Sequence, residues 1–393
     1  MRQVYLDHCA TTPVSASVAG AMQKYFTSAF GNASSVHRFG QEARAALDGS
    51  RAGIAALLSA RPGEVVFVSG GTESDNHAIK GAAAVALNSG RAGIITTAAE
   101  HHAVLDTCAW LAMRGCDVTY LPVDGYGMTS PDDVRRAITA KTGLITIMHA
   151  NNEIGTINPV GEIAVVAREA GIPFHTDAVQ SFGKIPLPSG EDMPDLLTIS
   201  AHKIYGPKGI GALRIRRGMK LDKFMHGGGQ ERGARAGTEN VPLAVGFALA
   251  AEQIVASMAA EAERLRDLKE RLKNRLEAGI PGIIVNGHPE HVLPGILNVS
   301  IPDTVAEIDA EALLFNLDLA GIAASSGSAC TSGSIEPSHV LLAIGRNRAT
   351  ASASLRLSLG AGTTAEDVDY ASEEIVSIAG RLAGSGGSGK PSG

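Results

Sequence analysis

The stretch VVFVSGGTESDN, residues 65–76, contains the pattern that decides the fold. It starts with four apolar residues, which are typical of a buried strand, and then turns through Gly70 and Gly71 into an alanine-rich helix. The same order of short apolar strand and helix recurs along the chain. These strands are continuous apolar runs instead of alternating patterns, as expected for a mostly parallel sheet covered by helices on both faces. The sequence therefore predicts an α/β fold.

Changes in element length along the chain predict two domains. A long helix is expected from Val241 to Leu276, and shorter elements follow it: a strand at 296–301, a helix at 306–317 and a strand at 354–358. We predict a large cofactor-binding domain over residues 15–255 and a smaller α+β domain formed by residues 1–14 and 256–383. Residues 384–393 have the Gly/Ser composition of a flexible tail. The large domain is expected to contain a seven-stranded sheet, with strands at Val65–Val68, Ile94–Thr97, Val118–Leu121, Leu144–Met148, Pro173–Thr176, Leu196–Ile199 and Gly211–Ile215.

The composition argues against several classes of protein. Forty acidic residues against 34 Lys and Arg give a net charge of −6, whereas a nucleic-acid-binding protein needs a basic face. The longest apolar run, Val241–Ala251, is too short to cross a bilayer, and Asp7 interrupts the place where a signal peptide would be apolar. Four cysteines without CxxC spacing predict neither a disulfide framework nor an intrinsic metal site. A cytoplasmic protein without membrane contact is expected.

Polar residues follow five of the predicted strands. Because ligands of a parallel sheet bind beyond the carboxyl ends of its strands, these residues are expected to converge on one site. Each of them alone could equally belong to a turn or a helix cap. The five groups are Gly70–Glu73, Glu100–His102, Asn151–Glu153, Asp177–Gln180 and Ser200–Lys203.

The chemistry of these groups matches pyridoxal 5′-phosphate (PLP). The helix that begins at Gly71 and Thr72 offers N–H groups to a phosphate. Asp177 can keep a pyridine nitrogen protonated, and Lys203 can form a Schiff base with an aldehyde. His101 can stack on the ring or transfer protons near neutral pH. We interpret eight other histidines as structural: His37, His77, His149, His175, His226, His288, His291 and His339.

A second candidate is the small, glycine-punctuated segment SSGSACTSGS at residues 325–334, which contains Cys330. A cysteine in such a loop can be an exposed nucleophile, whereas Cys108 and Cys116 lie among apolar residues and are expected to be inert. Arg356 lies within an apolar strand. It either forms a structural pair or binds a substrate carboxylate through two parallel contacts.

Together these stretches resemble the cysteine desulfurases, which are PLP enzymes of the class V aminotransferase group, fold type I. The resemblance covers residues 4–360. The SSGSACTSGS loop is similar to that of the group that serves iron–sulfur cluster assembly, and GARAGTEN and EPSHV lean toward the nitrogen-fixation (NifS) type over the housekeeping (IscS) type. The matching motifs are YLDHCATTP, FGNASSVHRFG, GGTESDN, EHHAVL, HANNEIG, HTDAVQSFGK, SAHKIYGPKGIGAL, HGGGQERGARAGTEN, SSGSACTSGSIEPSHVL and LRLSLG.

The resemblance implies a role for each matching residue. Lys203 would hold the cofactor, Asp177 would pair with the pyridinium nitrogen and His101 would stack on the ring. Gln180 would contact the ring hydroxyl, and Asn152 would lie against cofactor and substrate. Arg356 would bind the substrate carboxylate, and Cys330 would become the persulfide. The phosphate would be held by Gly71, Thr72, Ser200 and His202, with Thr238 reaching across from a partner subunit.

The implied reaction removes sulfur from L-cysteine and leaves L-alanine. A homodimer would pass the sulfur to an iron–sulfur scaffold or a sulfur-carrier protein, where Cys330 would transiently contact iron. Cys9 departs from the family, which commonly has asparagine there. We expect it to be a small stand-in, although a second thiol could also accept sulfur from Cys330. There are two alternatives. The first is another class V PLP enzyme, such as a selenocysteine lyase or an aminotransferase. The second is a nucleotide-binding α/β module.

Overall fold

A computed structural model describes residues 2–306, 308–326 and 336–385 of the chain. Its central sheet has seven strands in the order β2-β8-β7-β6-β5-β3-β4. Only β8 runs against its neighbours, so the prediction of a mostly parallel seven-stranded sheet is confirmed. The strands of the described residues are β1 (Val4–Tyr5), β2 (Val65–Val68), β3 (Gly93–Thr97), β4 (Asp117–Leu121), β5 (Thr142–Thr146), β6 (Phe174–Asp177), β7 (Leu196–Ser200), β8 (Gly211–Ile215), β9 (Ile284–Asn286), β10 (Ile296–Ser300), β11 (Ile322–Ala323) and β12 (Ser354–Ser358).

Helices cover both faces of the central sheet. Successive apolar residues of one strand point to opposite faces, so that Ile94 packs beneath α3 and α4 while Ile95 packs against α5 and α6. This double burial explains why the strands are apolar throughout. The helices are α1 (Ala16–Thr27), α2 (Arg38–Leu57), α3 (Gly71–Leu87), α4 (His102–Ala112), α5 (Pro131–Ala137), α6 (Val160–Glu169), α7 (Val241–Gly279), α8 (Ala310–Leu319), α9 (His339–Ala343), α10 (Arg348–Ser352) and α11 (Ala365–Ser385).

Helix α7 connects two hydrophobic cores. Its first half buries Phe247 and Ala251 in a core shared with α1 and α2, and its second half buries Leu272 and Leu276 against β10, β12 and α11. The first half is also long and apolar enough to cross a membrane by composition alone. Part of this apolar surface packs against α1 and α2. The predicted boundary between residues 255 and 256 falls inside this continuous helix, and the division into domains stays a prediction.

Two smaller sheets place segments that are far apart in sequence beside the carboxyl ends of the parallel strands. Strands β12, β10 and β9 form an antiparallel sheet, and β1 pairs in parallel with β11. A further bridge joins Asp7 to Ser358 at the end of β12. The segment that follows β1, residues 7–10, is thereby placed beside the carboxyl ends of the parallel strands.

Candidate active site

A cavity of about 460 Å³ lies at the carboxyl ends of the parallel strands, where the sequence predicts the site. The segment 7–10 and strand β12 close its other side. The structure brings nine of the twelve predicted site residues to its wall: Gly71, Thr72, His101, Asn152, Asp177, Gln180, His202, Lys203 and Arg356.

The N-terminus of α3 forms one end of the cavity. Gly71 packs so closely that an added Cβ would lie 2.8 Å from Cγ2 of Val179, so a side chain there would force the helix away. The first N–H groups of a helix have no partner within the helix and attract anions. Glu73 in the same turn does not occupy this position, because its carboxylate accepts hydrogen bonds from Arg235 (2.8 Å) and from the Ser69 N–H (2.8 Å).

Ser200, the last residue of β7, and His202, which follows the strand, are the other predicted contacts of the phosphate. The Ser200 hydroxyl is buried and has no hydrogen-bond partner among the described residues. His202 lies beside the Thr11 hydroxyl, with Nδ1 and Oγ1 3.2 Å apart. Burial, reinforced by Lys203, lowers the pKa of His202 to about 4, so its imidazole is neutral at pH 7. His202 lines the cavity, where its ring can contact a bound anion, whereas Ser200 does not line it.

Asp177 and His101 both line the cavity. Asp177 is the last residue of β6 and accepts a hydrogen bond from the Val179 N–H (2.8 Å). Burial raises its pKa, while His101 and Lys203 oppose that change. His101 caps α4, with Nδ1 accepting from the Ala103 N–H (3.1 Å), and burial lowers the pKa of His101. A neutral ring with Nδ1 occupied carries its proton on Nε2.

Lys203 follows β7 in a short turn, and its amine points into the cavity. Nζ donates to the carbonyl groups of Cys9 and Ala10, the latter at 2.8 Å. Burial lowers the pKa of Lys203 to about 8. A buried amine of this kind is a better nucleophile at neutral pH than an ordinary lysine. Lys208, the other lysine of this glycine-rich turn, lines a different groove beside Tyr5.

Gln180 is oriented by two contacts. Its Nε2 donates to the Cys9 carbonyl (2.9 Å), and its Oε1 accepts from Lys184 Nζ (2.9 Å). The Cys9 carbonyl therefore serves both Gln180 and Lys203. The Cys9 side chain is buried in a small apolar cluster with Ala150 and also borders the cavity. These contacts agree with Cys9 being a small stand-in, and they do not test sulfur transfer.

Arg356 lies at the centre of β12 with its side chain only 7% exposed. Nη2 donates to Asp7 (2.9 Å), Nη1 donates to the Asn152 carbonyl (3.0 Å), and Nε has no partner among the described residues. The residue thus forms the structural pair that the sequence left open and also borders the cavity, where it can bind a carboxylate. Asp7 is a site residue that the sequence reasoning missed.

Three predicted residues are not at the wall. Ser200 is buried beneath it. Thr238 lines a separate cavity of about 240 Å³ beside Ser69 and Arg235. The contact of Thr238 with the phosphate site of a partner subunit stays a prediction, because the structure contains one chain. Cys330 lies outside the described residues. The described residue Ser325 lines the cavity, with its hydroxyl donating to Asp7 (3.1 Å).

These residues fit PLP. The cavity wall combines the N–H groups of the α3 N-terminus with a buried carboxylate, Asp177, and a buried amine, Lys203. A phosphate, a pyridine nitrogen and an aldehyde are the groups that such a set holds. The site residues of the sequence prediction stay proposals, but their convergence in one cavity agrees with it.

Comparison with known proteins gives one family over most of the chain and relatives that share one enzyme name. The family described as aminotransferase class V matches residues 4–371. The cysteine desulfurase IscS of Dictyoglomus turgidum is 47% identical over 381 residues, which cover 97% of this chain and 95% of that protein. The cysteine desulfurase IscS of Methanosarcina thermophila is 49% identical over 381 residues, covering 97% of this chain and 93% of that protein.

Solved structures give the same result. A NifS-like protein superposes with a TM-score of 0.90 at 36% identity, covering 97% of this chain and all of the other (100%). The structure of SspA in complex with cysteine superposes with a TM-score of 0.80 at 37% identity, covering 91% of this chain and 99% of that one. The lean toward the nitrogen-fixation type is not specifically supported and stays a prediction.

Proposed function

The chain belongs to the class V aminotransferase family and, within it, to the cysteine desulfurases, and from this membership we propose how it removes sulfur from L-cysteine. The cofactor of this family is PLP. The observation that carries the proposal is the placement of Lys203 and Asp177 in one buried cavity, with the N-terminus of α3 at its end.

Each residue of the cavity has a distinct task in this proposal. Gly71, Thr72, Ser200 and His202 hold the phosphate, and Asp177 holds the pyridine nitrogen. When bound, PLP supplies an electrophilic aldehyde and a ring that withdraws electrons. The buried Lys203 amine holds the aldehyde carbon and then moves protons at the substrate, because its lowered pKa lets it gain and lose a proton near neutrality. The task of the neutral His101 ring is to cover the cofactor face and exclude water.

Substrate binding and sulfur transfer fall to Arg356, Asn152 and Cys330. Arg356 binds the carboxylate of L-cysteine, which takes up guanidinium contacts now made to Asp7 and Asn152. The Cys330 thiolate attacks the substrate sulfur. A sulfur–sulfur bond forms and the carbon–sulfur bond breaks; its electrons stay with the carbon skeleton, which takes up a proton and leaves as L-alanine. The persulfide on Cys330 is the product that is passed on.

The acceptor and the assembly are part of the same proposal. We infer a cytoplasmic homodimer in which Thr238 completes the phosphate site of the partner subunit. The sulfur of the Cys330 persulfide goes to an iron–sulfur scaffold or a sulfur-carrier protein. Cys330 transiently contacts iron there. The bacterial and archaeal IscS relatives support both the location and the sulfur-transfer role.

Turnover of L-cysteine tests the function. The purified protein should be yellow, and L-cysteine with a thiol reductant should give equal amounts of L-alanine and sulfide. Cys330→Ala should still change its visible spectrum when L-cysteine is added, because cofactor and substrate binding do not need the thiol, but should form no alanine. Cys108→Ala is the matched control and should turn over normally. Normal alanine formation by Cys330→Ala would contradict the role of this cysteine.

A further inference from the structure

Asp75 is a carboxyl group of the cavity wall that the mechanism does not use. It lies in α3 one turn after Gly71, lines the cavity together with Asp177, and is only 1% exposed. Its Oδ1 has no hydrogen-bond partner among the described residues. Two carboxyl groups are thus buried in one wall.

His175 is the side chain that could neutralise Asp75 by taking up a proton, but both of its ring nitrogens already contact threonine hydroxyls. Its Nδ1 lies 2.8 Å from the Thr146 hydroxyl and its Nε2 lies 3.0 Å from the Thr198 hydroxyl. The distance from Nε2 to Asp75 Oδ1 is longer, 3.6 Å. His175 is completely buried, and burial lowers its pKa to about 3, so the ring is neutral. Asp75 therefore has no positively charged partner within the part of the chain that the structure describes.

Asp177 has the surroundings that Asp75 lacks. It accepts a hydrogen bond from the Val179 N–H, and the positive charge of the nearby Lys203 amine favours its ionised form. Two like charges in a water-poor wall repel strongly, so such a pair retains a proton on the member that is worse solvated. That member is Asp75.

We propose that Asp75 is a positioning residue that stands beside Asp177 as a neutral carboxylic acid, so that the single negative charge of this wall stays on Asp177. The proposal rests on the proposed role of Asp177 toward the pyridine nitrogen of PLP.

The groups around Asp75 agree with a neutral acid. Burial raises the pKa of Asp75 well above its usual range, and Asp177 and Glu100 raise it further, whereas a hydrogen bond from Thr198 opposes them. The Glu73 carboxylate of the same helix is neutralised by Arg235. Among the described residues, the charged groups that act on Asp75 are Asp177 of β6 and Glu100 before α4, and the titratable His175 of β6 lies 3.6 Å from its Oδ1.

Two variants separate the carboxyl groups by their effect on cofactor binding. Asn resembles a neutral carboxylic acid in shape and polarity, so Asp75→Asn apoprotein should bind PLP within about threefold of wild type in a fluorescence titration. Asp177→Asn should bind about tenfold or more weakly, because it loses a charged hydrogen bond. The exposed Asp48→Asn is the matched control. If Asp75→Asn weakens PLP binding as much as Asp177→Asn does, the proposal is wrong.

The pH dependence of melting gives a second test that needs neither PLP nor turnover. A neutral Asp75 binds a proton that the unfolded chain, with an aspartate pKa of about 3.9, has lost above pH 5. Wild-type apoprotein should therefore lose stability relative to Asp75→Asn as the pH rises, and the Tm difference in favour of the variant should widen between pH 5 and pH 8. Glu100 titrates in both proteins, so its own effect largely cancels. A Tm difference independent of pH would show that Asp75 is ionised and would overturn the proposal.

If Asp75→Asn does not fold, infrared spectroscopy of wild-type holoenzyme with ¹³C-labelled aspartate decides. A carbonyl band of a protonated aspartic acid at pH 7 supports the proposal, and its absence contradicts it. If only the proposed desulfurase activity is absent, the results of all three measurements stay as expected. Failure of the proposed function can therefore be told apart from failure of the Asp75 proposal.

Discussion

Arg356→Lys tests the substrate site most specifically, because lysine keeps the positive charge and loses the planar fork. In the structure the two terminal nitrogens of Arg356 make separate hydrogen bonds, to Asp7 and to the Asn152 carbonyl. A carboxylate of L-cysteine would use the same two donors, and a lysine ammonium, although it has three N–H groups on one nitrogen, cannot present two parallel donors. A lost hydrogen bond between charged groups costs about 1.5–3 kcal/mol, which corresponds to a rise in KM of about 10- to 150-fold. kcat should fall much less, because the carboxylate is bound equally in ground and transition states.

The assay is steady-state alanine formation with L-cysteine varied, together with thermal melting of each variant. Arg346→Lys is the matched control, since Arg346 also bonds a polar side chain, Asn286, but does not line the cavity. Its KM should equal that of wild type. If Arg356→Lys melts at a lower temperature while its KM stays within twofold, Arg356 is a structural partner of Asp7 and the proposed carboxylate site is wrong.

Three further predictions follow from individual contacts. Glu231 accepts two short hydrogen bonds from buried Arg51 (2.6 and 2.7 Å), so Glu231→Ala should lower the free energy of unfolding by about 3–5 kcal/mol, measured by urea denaturation; a loss below about 1 kcal/mol would contradict this. The lowered pKa of Lys203 predicts that the rate of PLP incorporation into apoprotein rises with pH through about 8 and then levels off, since only the uncharged amine reacts; an increase continuing unchanged to pH 10 would contradict it. Cys9→Ala should leave persulfide on Cys330 after turnover, detected by mass spectrometry, and added sulfur on Cys9 of wild type would establish a relay instead.

Much of the site could be predicted because it depends on local pattern and on one rule of sheet geometry. Thr72 and Lys203 follow strands β2 and β7, Asp177 ends strand β6, and these three strands all point the same way. Residues far apart in sequence therefore meet at one edge of the sheet. The positions of the strands in the sequence are therefore enough to predict that these residues meet.

Asp7 could not be found in this way. It reaches the cavity because β1 pairs with β11 and because Asp7 itself bridges to Ser358, contacts between the two ends of the chain that leave no periodic signal in either segment. Asp75 had a local signal that was not used. It lies four residues after Gly71 in α3, and residues four apart share one face of a helix.

Element ends were the least predictable feature. The helix expected to begin at residue 306 begins at Ala310, because the Asp309 carboxylate caps it by accepting from the N–H groups of Glu311 (2.9 Å) and Ala312 (3.1 Å). Hydrophobic periodicity continued through the preceding residues, so only the capping aspartate marks the start.

Peptide mapping after borohydride reduction tests the central claim most directly. The reducing agent fixes PLP covalently to the amine that holds it, and mass spectrometry of the digest identifies that lysine. We predict the pyridoxyl group on Lys203, whose amine points into the cavity, and none on Lys208, which lines a different groove. Modification of Lys208 with Lys203 unmodified would contradict the assignment of this cavity as the cofactor site.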